Sequence, residues 1–422
     1  MGVGMNSSKM ILGLAAGWLL LWMAGLAGAQ DWPQWRGPNR DNKVTGFTEP
    51  KEWPKELTKK WKTKVGEGDA TPALVGDKIY AFGRQGGEEV VVCLDADNGN
   101  EVWSDKYKAP EARVPGGGHI GPRACPTVAD GKVCTFGVSG VLTCYDAAKG
   151  TNLWRKETKD VPGFWASASP LITDGKCIAQ IGKSPSKIIA YDLANGEEKW
   201  TWSGGETAYG SPVLMTVEKT NMIVAPTKSS IVGINAADGK ELWKISFSGQ
   251  YNSATPFVDG QTVFYSAPGG GFGGGRGSGG TVAYKIEKKD DAFEAKKIWT
   301  KSDCSGIYNT PVLKDGQIYG LSGGNRAAAY FYCMNAETGE KLWSDKTERG
   351  ECAAILDAGS VLIGLSSDKQ LVVFKPNKEK YEEVAKYKVA DSATWASPIV
   401  SGNRIIVKDR DSIILWTIEA DK

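Results

Sequence analysis

The chain has one histidine, His119, in 422 residues. A single imidazole cannot build a His-rich zinc centre, and it is the sole natural general base near neutral pH. The eight cysteines include no adjacent pair and no Cys-x-x-Cys-His, which excludes a covalent c-type haem. No Gly-x-Ser-x-Gly elbow is present for a serine nucleophile. Neither sign of charge is in excess, with 51 Lys+Arg against 49 Asp+Glu. No basic field invites nucleic acid, and no acidic surplus points to disorder. Helical periodicity of useful length is absent after residue 29.

Glycine and tryptophan are plentiful, at 53 and 16 residues, which suits many short strands joined by tight turns. At the N-terminus Lys9 precedes an apolar run from Met10 to Leu26, and Ala27-Gly28-Ala29 fits a small-residue cleavage site. The run has the length of an anchor helix, but the cleavage site followed by Gln30-Asp31 favours removal. No cysteine lies there to take a lipid. The expected product is exported, periplasmic or secreted, without a membrane span, and monomeric. The chain divides into a signal peptide (1–29), an N-terminal extension (30–57) and a repeat domain (58–422).

The repeat is carried by an aromatic anchor that returns at intervals of roughly 42 to 56 residues: Trp61, Trp103, Trp154, Trp200, Trp243, Trp299, Trp343 and Tyr387. A proline opens each unit at 72, 126, 170, 212, 256, 311 and 398, with Ala353-Ala354 in the remaining one. Four short strands per unit describe a propeller blade, as in Ala70–Val75, Lys78–Gly83, Glu89–Asp95 and Asn100–Asp105, the last pair joined at Asn98-Gly99. The spacing predicts an all-β, eight-bladed propeller. Its last blade is completed by the orphan N-terminal strand Thr58–Val65, which leaves no open edge.

Ten residues before most anchors stands a small residue (Cys93, Cys144, Ala190, Gly233, Cys333), and Asp95, Asp146, Asp192, Asn235 or Asn335 follows two residues later. This pattern resembles the tryptophan-docking repeat of quinoprotein-type, BamB-like propellers, over nearly all of the expected mature chain. The opening Asp31-Trp32-Pro33-Gln34-Trp35-Arg36-Gly37-Pro38 is similar to the start of exported propellers of that class. The resemblance implies a non-catalytic scaffold of the cell envelope that binds a protein or small ligand, with no cofactor. A second implication is a PQQ- and Ca²⁺-dependent dehydrogenase, against which stand the missing vicinal cysteines and the short chain. A carbohydrate-active enzyme stacking sugars at the propeller mouth is a third.

No catalytic or metal-ligating set stands out. Asp95 to Lys106 fails the calcium-loop rule, because Gly99 is fifth and Lys106 twelfth. Pro268–Gly280 lacks the Gly-Lys-Ser/Thr ending of a phosphate loop and leads into a strand. The cysteines read as compact buried thiols, with a Cys134–Cys144 bridge across a hairpin as the alternative. A ligand or partner site is expected where residues just ahead of the proline landmark converge on one channel mouth: Trp165, Tyr209, Tyr251, Asn252, Tyr308, Asn309 and Trp395, joined by His119 and Arg123. Loops between second and third strands open on the same face and bring Arg276, Asn325 and Arg326. Plugging of the channel by these aromatics is the competing role.

Overall fold

The computed structural model describes residues 1–2, 30–113, 119–247, 253–267, 280–302, 304, 306, 308–324 and 327–419. The signal segment and the Gly-rich loop lie outside them, apart from Gly280. Eight four-stranded antiparallel sheets follow one another along the chain. Blades 1 to 7 span 73–108, 127–157, 171–203, 213–246, 257–301, 312–344 and 353–388. Blade 8 takes three strands from 399–417, and its fourth is Thr58–Lys64, paired from Thr58 opposite Thr417 to Lys64 opposite Ser412 with a register shift between Lys59 and Trp61. The ring is an eight-bladed propeller closed by its two ends.

The anchors explain why the blades stack. Cys93 lies directly opposite Trp103, Cys144 opposite Trp154, Ala190 opposite Trp200, Gly233 opposite Trp243 and Cys333 opposite Trp343. A small side chain thus leaves room for the ring beside it. The indole then reaches the next blade. Trp61 donates to the Ala96 carbonyl at 3.1 Å, Trp103 to Ala147 at 3.0 Å and Trp154 to Leu193 at 3.1 Å. The ring face lies against that blade's turn glycine, where an added Cβ on Gly150 would come within 2.5 Å of Trp103. In this turn Asp146 Oδ1 accepts from the Ala148 and Lys149 amides, and Gly150 takes φ +71°. Only the glycine has positive φ, so Asn98-Gly99 is the end of a carboxylate-capped turn rather than a two-residue hairpin turn. The buried clusters accordingly lie between blades, for example Tyr80, Phe82 and Cys93 against Val133 and Tyr145. All eight cysteines are buried thiols.

Around the axis runs a belt of small polar residues, each just ahead of an innermost strand. The Ser397 amide donates to Thr71 Oγ1, Cys125 to Ser169 Oγ, Ser169 to Ser211 Oγ, Ser211 to Thr255 Oγ1 and Thr255 to Thr310 Oγ1, at 2.9–3.1 Å. Each bond joins one blade to its neighbour.

Beyond the belt the expected extension turns inward. Trp32, Arg36, Arg40 and Asn42 are at most 2% exposed. Trp32 pairs with Leu74 in blade 1, the Pro33 carbonyl accepts from Val128 in blade 2, and Trp35 donates to Thr255 ahead of blade 5. Arg36 reaches Thr310 and Pro311 ahead of blade 6, and Arg40 reaches Pro170 and Pro212 ahead of blades 3 and 4. Asn42 donates to Ile355 in blade 7, and Ser401 of blade 8 donates to the Gln30 carbonyl. One short segment touches all eight blades.

Candidate functional site

In each blade the chain enters from the mouth, crosses the belt and continues as the innermost strand toward the end filled by residues 30–43. The mouth is therefore built from the residues that precede the belt. Asp69, ahead of blade 1, grips His119 through both oxygens: Oδ2 accepts from the His119 amide at 3.1 Å and Oδ1 meets Nδ1 at 2.7 Å. In a neutral imidazole, donation from Nδ1 to the carboxylate leaves Nε2 as the acceptor. Both side chains are nearly buried, at 13% and 12% exposure. Arg123 donates to the Ala112 carbonyl at 2.7 Å and to Phe164 at 3.4 Å. Burial lowers its pKa, while Asp69, Tyr308, Glu89 and Tyr209 act in the opposite direction. Groups from blades 1, 4 and 6 thus lie within electrostatic reach of one guanidinium.

Two rings cross the opening. Tyr308, ahead of blade 6, meets Trp395, ahead of blade 8, edge to face with centroids 5.8 Å apart. Tyr308 is 38% exposed and holds φ +58°, a left-handed conformation uncommon for a bulky residue. Its hydroxyl pKa is raised by burial and by Glu351. Trp165 also has positive φ, +69°, and its indole donates to the Arg113 carbonyl at 3.2 Å, bracing the loop that carries His119. The Tyr209 hydroxyl accepts from the Phe164 amide at 3.3 Å, and the two rings lie 6.0 Å apart. Beside them a cleft of about 210 Å³ is lined by Phe164, Tyr209, Lys183, Lys228, Glu206 and Thr207.

His119, Arg123, Trp165, Tyr209, Tyr308 and Trp395 therefore share one face. Asn309 does not present its side chain there: it is 7% exposed and donates to the Leu321 carbonyl at 2.9 Å. Tyr251, Asn252, Arg276, Asn325 and Arg326 lie outside the described residues. Asp69 and Glu89 also belong to the mouth, and neither carries a mark in the sequence. Glu89 is fully buried, accepts from Tyr107 Oη at 2.6 Å and the Val138 amide at 3.0 Å, and burial raises its pKa.

A calcium-bound quinone needs several hard oxygen donors turned toward one point. Asp69 is engaged by His119 and Glu89 by Tyr107 and Val138. Among the described residues no group of three or more His, Cys, Asp or Glu could hold a metal ion.

A family model described as "Outer membrane protein assembly factor BamB" matches residues 87–345, more than half of the chain. The outer membrane protein assembly factor BamB of Burkholderia pseudomallei is 24% identical over 83% of this chain and 85% of its own length. The tetrathionate hydrolase of Acidithiobacillus ferrooxidans is 27% identical over 48% of this chain, a match that spans only 42% of the hydrolase. Among solved structures, the quinohemoprotein alcohol dehydrogenase of Comamonas testosteroni superposes with a TM-score of 0.66 at 14% identity, covering 93% of this chain and 81% of the dehydrogenase. That likeness is one of fold. On the family match, with the eight-bladed ring behind it, this chain belongs to the family of the outer membrane protein assembly factor BamB.

Proposed function

We propose that the chain is a binding propeller of the bacterial cell envelope, exported to the periplasm, which holds a protein partner across the mouth. The observation that carries this reading is the Tyr308–Trp395 pair, an exposed ring and a half-buried one from separate blades of a closed ring. Aromatic residues with polar neighbours are what protein interfaces concentrate. Family membership supports an assembly role, and the mouth supports the place. His119, Arg123, Trp165 and Tyr209 are the rim that orients the partner.

The test places a photo-crosslinking residue at Tyr308 and, as a control, at the exposed Leu214 of an innermost strand, which lines a groove beside the N-terminal segment. A discrete envelope protein captured from position 308 and not from 214 supports the reading. Equal background at both positions contradicts it. So does dye-linked alcohol oxidation by purified protein supplied with PQQ and Ca²⁺, which would move the chain to the dehydrogenase reading.

A further inference from the structure

The end of the channel opposite the mouth carries an inference independent of the partner reading. Arg36 donates from Nη1 to the Thr310 carbonyl and from Nη2 to the Pro311 carbonyl, both at 2.8 Å, and from Nε to Arg40 at 3.0 Å. Arg40 donates to the Pro170 and Pro212 carbonyls and, through Nε, to Gln34 Oε1. Neither guanidinium bonds a carboxylate. Two buried cations are held almost wholly by main-chain carbonyls of residues just ahead of the innermost strands and of the segment itself. Burial lowers their pKa to about 10 for Arg36 and about 9 for Arg40.

The segment is also shaped by its seat. Arg36, Arg40 and Asn42 hold φ of +64°, +56° and +60°, three left-handed non-glycine residues within seven. Such conformations persist only where surrounding contacts over-determine them. Gly37, at φ +84°, lies over the Trp32 indole, which a Cβ there would approach to 3.1 Å. Both ends of the segment leave by one face: Gln30 at Ser401 of blade 8, and Val44 at the Asp357 carbonyl of blade 7. It can dock without threading the ring. From there the chain passes along blade 7, through Glu49 to Lys375 at 2.8 Å and Pro54 to the Tyr387 hydroxyl at 2.8 Å, to the closing strand.

We propose that this end of the channel is a peptide-binding site for a Trp-x-x-x-Arg-x-x-x-Arg segment, and that residues 32–40 of this chain are its resident ligand. Recognition is by guanidinium forks on paired carbonyls, so the site takes arginine and rejects lysine, whose single ammonium cannot span two acceptors in a fixed plane.

The experiment uses the full chain with Arg36→Ala and Arg40→Ala combined. The double variant is expected to melt about 5 °C or more below the wild type. An excess of synthetic peptide of sequence 30–43 is expected to bind it and restore the loss. The same peptide with both arginines replaced by lysine is expected to bind at least about tenfold more weakly. A double variant that melts with the wild type, an arginine peptide that neither binds nor restores the loss, or a lysine peptide that binds equally well, overturns the proposal. Should the double variant fail to fold, hydrogen exchange on the wild type decides. The Trp32, Asn42 and Val44 amides, which donate to Leu74, Arg36 and Asp357, are expected to exchange as slowly as blade amides. Exchange at the rate of a free tail overturns it.

Discussion

Lys408 shows how the ring treats a single charge. It is 1% exposed, and its ammonium donates to the carbonyls of Gly66, Gly68, Asp409 and Arg410. Burial pushes its pKa down to about 8 from the ordinary 10.5, against the pull of Asp69, Asp409, Asp411 and Glu67. Between those two values the unfolded chain binds a proton that the folded chain does not, so stability falls as pH drops through the window and levels off below it. Lys408→Met should remove that part of the slope, even though it lowers stability at every pH by orphaning carbonyls. Urea denaturation of both proteins from pH 7.5 to 10.5 checks this; parallel curves would contradict it. At this scale the sequence was partly legible. His119 and Arg123 stand out as the lone imidazole and a nearby cation. Asp69 does not, because one aspartate among 49 acidic residues carries no local mark. Asn309 sits beside Tyr308 in sequence, but its amide turns inward to Leu321.

The blade is the element, and its turn glycine is where two blades meet. Gly150 has φ +71° and Trp103 against it, whereas Gly131 has φ +68° and nothing within 4 Å. Gly131→Ala should therefore cost only backbone strain, about 1 kcal/mol. Gly150→Ala adds a steric clash and should cost about 2 to 4 kcal/mol. Placed in a Trp103→Ala background, Gly150→Ala should fall back to the cost of Gly131→Ala, a coupling that a double-mutant cycle in urea measures directly. Additive costs would show that the ring and the turn do not touch. This level was the most legible in sequence, because each steric requirement selects a residue type: in most blades a small residue opposite the ring, an Asp or Asn to cap the turn, and a glycine under the indole; Trp61 and Tyr387, opposite Leu415 and Leu371, are exceptions to the first. Blade 5 departs where the chain does. Its outer hairpin, Gly280–Lys289 with Ala292–Lys301, lacks the Asx–Gly turn, and Trp243 donates instead to Met222 Sδ at 3.2 Å.

For the whole molecule, the count of eight and the closure by Thr58–Lys64 follow from the repeat itself. The filled end of the channel does not. Its arginines and Asn42 reach main-chain carbonyls of the blades, which every residue carries, so few complementary side chains betray the seat. The one signal is compositional: two tryptophans and two arginines among Pro and Gly within residues 32–40, dense for a trailing extension. One end of the ring is stoppered and the other open, and hydroxyl-radical footprinting of the folded chain measures that asymmetry. Tyr308 and Trp395 should be oxidised rapidly under native conditions, and Trp32, at 0% exposure, only when the ring unfolds. Oxidation of Trp32 as fast as that of Tyr308 would contradict it.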